Sequence, residues 1–237
     1  MATLTRTVIW DIGLQLRSMV YAATVVSTAV ICGFILILPV EQLSGRWATF
    51  FIFMDPATIG LSFVGAVVLM EKAQGTIAAL GVTPMRPWIY VASKIVSLTV
   101  LTFVSGFVVA YVAAESFSMP RMLLALTVSS IVSVLIGFAC VARAPSMNKL
   151  MITLLWVATL GYIPLLAHFD LLPDVLAAAV ALIPSYAILV AVSFAIDPAS
   201  MAPSAELYAY GYLLVWCFIG WWWALREYTR SVVTDGK

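Results

Sequence analysis

Long runs of apolar residues alternate with short polar stretches along this chain. A helix that crosses the hydrocarbon core of a membrane needs about 20 mostly apolar residues. Six runs of about that length are present, at residues 19–40, 47–70, 92–114, 122–142, 148–167 and 207–225. The pattern predicts an all-α integral membrane protein with six transmembrane helices. No repeat or linker divides residues 1–237, so we expect a single transmembrane domain.

A further apolar run, 175–196, carries Pro184 at its centre. Counted as a seventh span, it would put the two termini on opposite sides of the membrane. With six spans and a cytoplasmic N-terminus, ten lysines and arginines face the cytoplasm and only Arg46 and Arg121 lie outside. That asymmetry follows the positive-inside rule. We therefore predict that 175–196 is a re-entrant segment broken at its proline, and that both termini are cytoplasmic.

The N-terminal segment 4–17 has a different periodicity. Its apolar residues recur at every fourth position while two arginines point the other way, and these are Leu4, Val8, Ile12 and Leu16 against Arg6 and Arg17. Such a pattern predicts an amphipathic helix that lies flat on the cytoplasmic surface of the membrane. A disordered basic leader is the alternative interpretation.

Composition supports a membrane protein and narrows the chemistry. The chain is 64% apolar and 10% charged, with a mean hydropathy of +1.10. Its net charge of +1 gives no reason to expect a nucleic-acid partner. The cysteines Cys32, Cys140 and Cys217 lie inside apolar runs, and His168 stands alone. These residues lack metal-ligand spacing, so we expect no metal site and no catalytic residues in this chain.

The polar segment 71–91 interrupts the apolar runs after the second span. Gly75 is expected to end that span, and Thr83 with Pro84 to end a short helix over 76–82. Lys94 follows, where its side chain can snorkel to the membrane interface. From the residues alone, the segment is either an ordinary interfacial turn or a surface that receives a partner.

The same residues resemble a known family signature. The run Glu71-Lys72-Ala73-Gln74-Gly75-Thr76-Ile77, followed by Leu80, by Thr83-Pro84 and by Lys94, resembles the motif of ABC-2 type transporter permeases. The similarity is strongest to the small drug-export permeases of bacteria, such as fluoroquinolone export permeases. Lys72 stands where the family often has a second acid or an arginine.

The resemblance implies a transport subunit in the cell (plasma or inner) membrane. Its partners would be cytosolic ATP-binding subunits, which carry ATP and magnesium, and a second, identical or different, permease subunit. The loop 71–91 would contain the coupling helix that contacts the ATP-binding subunit. The residues implied in coupling are Glu71, Gly75, Thr76, Leu80, Thr83 and Pro84. The substrate would be a hydrophobic or amphipathic drug or lipid-like molecule.

The chain lacks a phosphate-binding loop of its own. That loop requires the pattern G-x-x-x-x-G-K-[ST], whereas the Gly-Lys pair of this chain is Gly236-Lys237 at its end. We therefore expect no cofactor on this chain, and ATP hydrolysis on another polypeptide.

Asp55 is the acidic residue inside a predicted span. A carboxylate at that depth should face the bundle interior or a water-filled cavity. It is either a structural residue beside Pro56 or a polar contact on the substrate path, together with Phe50, Phe51 and Phe53. The alternative function is an ion-coupled secondary transporter in which Asp55 holds the coupling ion.

Overall fold

The computed structural model describes residues 2–38, 45–76, 86–142, 144, 146–199 and 201–235. Within these ranges every regular element is a helix, as the apolar runs predict. The helices are α1 Ala2–Arg17, α2 Val20–Ile37, α3 Gly45–Asp55, α4 Leu61–Ala73, α5 Pro87–Ala113, α6 Met119–Ala142, α7 Met147–His168, α8 Asp174–Val180, α9 Pro184–Ile196 and α10 Pro203–Asp235. One π-helical turn, Pro56–Gly60, joins α3 to α4.

Within the described part of the chain, five helical segments are long and apolar enough to cross a membrane. They are Val20–Ile37, Gly45–Ala73, Pro87–Ala113, Met119–Val141 and Met147–His168. Each overlaps one of the first five predicted spans, and the chain is a multi-pass membrane protein.

The sixth predicted span, 207–225, lies inside α10. This helix is 33 residues long, but it does not reach the hydropathy of the other five segments. The tyrosines of α10 and the run Trp221 to Trp223 lower its mean hydropathy, because tyrosine and tryptophan side chains are only weakly apolar. Length alone would allow α10 to cross, so the predicted count of six is not confirmed by composition.

The predicted break in 175–196 is present. Helices α8 and α9 meet at residues 181–183, and α9 begins at Pro184, where the missing N–H needs no partner. Nearly every residue of α9 is buried in the bundle. The hydroxyl of Tyr212 donates to the carbonyl of Leu182 at 2.5 Å, and that of Tyr208 donates to the carbonyl of Ala181. Two tyrosines of α10 therefore satisfy the non-helical backbone of this turn.

Helix α6 lies at the centre of the bundle and packs against α4, α5, α9 and α10. At Gly137 the backbones of α6 and α4 approach closely, since a Cβ there would lie 2.5 Å from the carbonyl oxygen of Leu61. The described apolar residues form two buried clusters, one toward Arg46 and one toward Lys94. We call these two ends of the bundle the Arg46 end and the Lys94 end.

We predict that Gly137→Ala destabilises the protein by about 1–3 kcal/mol, because backbone atoms cannot move aside to admit the methyl group. The free energy of unfolding in detergent measures this effect. Gly211→Ala is the matched control, since a Cβ at that position meets nothing within 4 Å. Equal stability of the two variants would contradict the close approach of α4 and α6.

Candidate functional site

Lys94 is fully buried at the end of the bundle where the second and third spans are connected. Its Nζ lies 2.6 Å from Oδ1 of Asp11 and forms a second ion pair with Oε1 of Glu71. An ammonium group can remain charged in such an interior only if it is paired. The prediction that Lys94 snorkels to the interface is wrong. The helix begins at Pro87, not at 92, which places Lys94 two turns inside it.

Glu71 is equally buried, near the end of α4. Its second oxygen, Oε2, accepts a hydrogen bond of 2.6 Å from the hydroxyl of Tyr90. The ring of Tyr90 stacks on Tyr228 of α10, with ring centroids 4.5 Å apart and an interplanar angle of 16°. The contacts of Glu71 therefore join α4 to α5 directly, and to α10 through the stacked rings.

Helix α1 presents polar residues to this site. Asp11 and Gln15 are both buried, and Gln15 Nε2 donates to Ser97 Oγ at 2.8 Å. Leu16, one of the apolar residues predicted to face the membrane, is more than half exposed within the chain. The polar edge of α1 faces the bundle because Lys94 and Ser97 offer partners there.

We call Asp11, Glu71, Tyr90 and Lys94 the Lys94 cluster. Two carboxylates face one ammonium group, so the cluster carries an excess of acid when all three are ionised. Oδ2 of Asp11 has no hydrogen-bond partner within the described ranges. Removal of the single cation would leave two buried carboxylates uncompensated.

Sequence reasoning did not identify Asp11, Gln15, Tyr90 or Tyr228. One signal was available for Asp11 and Gln15. These polar residues are four positions apart, and residues at that spacing lie on the same face of a helix. A similar signal marks Tyr90, which precedes Lys94 by four residues in the same helix. Nothing in the sequence pairs Tyr228 with Tyr90, since their stacking depends on how α10 packs.

The Lys94 cluster joins the two ends of the polar segment. Glu71 lies where the segment begins and Lys94 just beyond its end, and the two side chains are bonded to each other. Gly75 follows α4 with φ of +70°, a left-handed conformation that strongly favours glycine. Thr76 is half-buried beside it. Leu80, Thr83 and Pro84, and most of the helix predicted over 76–82, lie outside the described residues.

Asp55 is fully buried in the middle of the bundle, as its charge predicts. Ser105 Oγ donates to its Oδ2 at 2.5 Å, while Oδ1 has no partner among the described residues. The hydroxyl of Thr28 is likewise buried beside this carboxylate, without a close hydrogen bond among the described residues. Asp55 immediately precedes the π-helical turn, so this polar site lies where the α3–α4 segment changes its winding.

The phenylalanines near Asp55 have different aromatic partners, and their predicted place on a substrate path stays a prediction. Phe50 and Phe51 belong to an aromatic cluster at the Arg46 end, where Trp47 packs on Phe169 with centroids 4.9 Å apart. Phe53 is fully buried and packs edge-on against Tyr162 of α7, with centroids 6.3 Å apart. All three phenylalanines nevertheless contribute to the same buried apolar cluster.

The Arg46 end has a depression of about 510 Å³. Arg46 forms an exposed ion pair of 2.5 Å with Asp170, and its carbonyl oxygen lies 3.0 Å from Nε2 of His168. His168 therefore has a partner in the protein rather than only solvent. Exposed pairs of this kind contribute about 0–1 kcal/mol to stability.

Comparison with known proteins gives a consistent picture. The model of the fluoroquinolones export permease protein family matches residues 2–236. The chain is 30% identical over 210 residues to the fluoroquinolones export permease proteins of two Mycobacterium tuberculosis strains, CDC 1551 / Oshkosh and ATCC 25618 / H37Rv. Each alignment covers 86% of this chain and 86% of the relative. No solved structure matches the chain.

We predict that Lys94→Met destabilises the protein by about 3–5 kcal/mol, because it leaves two buried carboxylates unpaired. The triple variant with Asp11→Asn and Glu71→Gln should recover much of this loss, since no charge then remains unpaired. The free energies of unfolding in detergent measure both effects. If the triple variant is as unstable as the single one, packing rather than charge determines the role of Lys94.

Proposed function

The chain belongs to the fluoroquinolones export permease protein family, and on that premise we propose that it is the membrane-spanning subunit of an ATP-driven exporter. Its substrate would be an amphipathic aromatic molecule such as a fluoroquinolone, the drug class that names the family and its relatives. ATP and magnesium would be bound by a separate cytosolic ATP-binding subunit. The complex would reside in the cell membrane, with a second permease subunit beside this one.

The bond between Glu71 and Lys94 is the observation that carries this proposal. Glu71 and Lys94 flank the polar segment and are bonded to each other. A force on that segment would therefore act on α4 and α5 together, through one ion pair. The same ion pair contacts α1 through Asp11. It contacts α10 through Tyr90, whose ring stacks on Tyr228. A push from an ATP-binding subunit on the coupling helix, which we place within 71–84, would thus reach four helices of the bundle together.

Helix α10 runs from one end of the bundle to the other, which supports a sixth membrane crossing. Near its start, Glu206 pairs with Arg121 at 2.9 Å, at the Arg46 end of the bundle. Near its end, Tyr228 stacks on Tyr90 at the Lys94 end. We infer that α10 crosses as the sixth span and that both termini are cytoplasmic. The α8–α9 hairpin would be re-entrant, its turn protected by Tyr208 and Tyr212.

Helices α2 and α7 are the least buried of the five candidate spans. Only 22% of the most apolar stretch of α2 and 17% of that of α7 are buried within the chain. In a membrane these faces would contact lipid or the second permease subunit.

Gly75 offers a test of coupling that leaves the Lys94 cluster intact. A β-branched residue at its positive φ is strained, so Gly75→Val should redirect the chain as it leaves α4. We predict that this variant still assembles with the proposed ATP-binding subunit but loses most substrate-stimulated ATPase activity and transport. Ala73→Val, at an exposed position two residues earlier, is the control. Unchanged coupling in Gly75→Val would contradict the proposed role of the segment.

An ion-coupled carrier is the second candidate function, favoured by the unpartnered oxygen of Asp55. The energy source distinguishes the two mechanisms. In proteoliposomes that contain both subunits, we expect ATP to drive transport without a proton or sodium gradient, and Asp55→Asn to retain most activity. Transport that requires an ion gradient, proceeds without ATP and is abolished by Asp55→Asn would favour the carrier instead.

A further inference from the structure

A second cavity, of about 440 Å³, lies inside the bundle between α7 and α10. Residues of α4 and α6 form its floor, and the start of α9 closes one side. Its volume falls within the roughly 300–1,000 Å³ range of small-molecule sites. Its wall includes Leu160, which is more than half exposed on the surface of the bundle, so the cavity is adjacent to the membrane.

Aromatic side chains form much of the wall. Phe53 and Tyr162 meet edge-to-face on one side, with an interplanar angle of 79°. Trp216 and Trp223 contribute from α10. Rings of this kind provide flat, polarisable surfaces against which a planar aromatic molecule packs well.

Hydrogen-bond donors on the side formed by α9 belong to Ser185. This residue is nine-tenths buried, lines the cavity, and its Oγ has no partner among the described residues. Ile183, the N-cap residue of α9, has no side-chain acceptor, and Pro184 has no N–H. The N–H of Tyr186 donates to the carbonyl of Ile183 at 3.0 Å, so Ser185 supplies the donors at this helix start. A helix start favours an acceptor or a negative charge. The two observations indicate a ligand with acceptor oxygens at one end.

We propose that this cavity binds a planar aromatic molecule that carries keto or carboxyl oxygens on one edge, with those oxygens against Ser185 and the start of α9. A fluoroquinolone has this chemistry. The inference rests on the proposed function and adds to it a binding site within a single subunit. A lipid acyl chain would fill the apolar part but leave the donors of α9 unused, which is why we favour the aromatic acid.

Gly161 allows the cavity to be filled without disturbing the bundle. It lines the cavity, and a Cβ at this position meets nothing within 4 Å. We expect Gly161→Leu, in purified full-length protein in lipid nanodiscs, to weaken binding of a fluorescent fluoroquinolone by about tenfold or more, as loss of a well-filled pocket does. Gly211→Leu is the matched control, a helical glycine with equally open surroundings that does not line the cavity.

Ser185 tests the donor end. Loss of one hydrogen bond to a charged acceptor corresponds to about tenfold in affinity. Ser185→Ala should therefore weaken binding of the fluoroquinolone by about that factor and leave binding of its decarboxylated analogue unchanged. Equal loss for both ligands would contradict the assignment of Ser185, and displacement by free fatty acid with no effect of Ser185→Ala would identify a lipid site instead.

Binding and transport separate this inference from the proposed function. If the wild-type protein binds no fluoroquinolone, or if Gly161→Leu binds it as well as Gly211→Leu does, the cavity is not the site. ATP-driven transport that persists in Gly161→Leu would then leave the exporter standing without this site. Transport that is independent of ATP while Gly161→Leu abolishes binding would leave the site standing and overturn the exporter.

Discussion

The burial of Lys94 between two carboxylates is the interaction on which the Lys94 end of the bundle depends. Transfer of an ammonium group out of water costs several kcal/mol even after the protein relaxes, so it persists only with well-placed partners. Asp11 and Glu71 supply these partners from two other helices. The requirement to keep the charges paired therefore fixes the position of α1 against α5 and the position where α4 ends. The same requirement explains why the amphipathic helix α1 turns its polar side, with Asp11 and Gln15, toward the rest of the protein.

A second polar layer lies between the two apolar clusters. Asp55 and Ser105 meet where one cluster gives way to the other, and the π-helical turn begins directly after Asp55. Single π-helical turns are rare within helices and frequently lie at functional sites. The bundle thus consists of two packed halves with a polar seam, and the cavity between α7 and α10 extends across this seam from Phe53 to Cys140.

Much of the helical layout follows from the sequence, because apolar length decides which segments enter a membrane. The break at Pro184 was also predictable, since proline cannot continue a helix without loss of a hydrogen bond. The prediction for Lys94 failed because hydropathy placed the start of the third span at 92, whereas the helix begins at Pro87. Charged residues near the end of a span lower its hydropathy whether they are exposed or paired inside the protein.

The candidate site was less predictable than the helices. Lys94 is 23 residues from Glu71 and 83 residues from Asp11, and no helical or strand periodicity in the sequence joins the three. The aromatic partners were equally unpredictable, since Phe50 and Phe53 are near neighbours in the chain, yet Phe50 packs on Phe51 and Phe53 on Tyr162. Contacts between distant helices decide both cases, and a single sequence does not encode them in its periodicity.

The distance between α1 and α5 is the most direct test of the central claim, that the Lys94 cluster holds these helices together. Spin labels on Trp10 and Val96, both exposed, would report it by double electron–electron resonance in a background without the native cysteines. We predict one narrow distance distribution with Lys94 present and a broad one in Lys94→Met. An equally narrow distribution in both proteins would show that α1 is held by other contacts and would contradict this account.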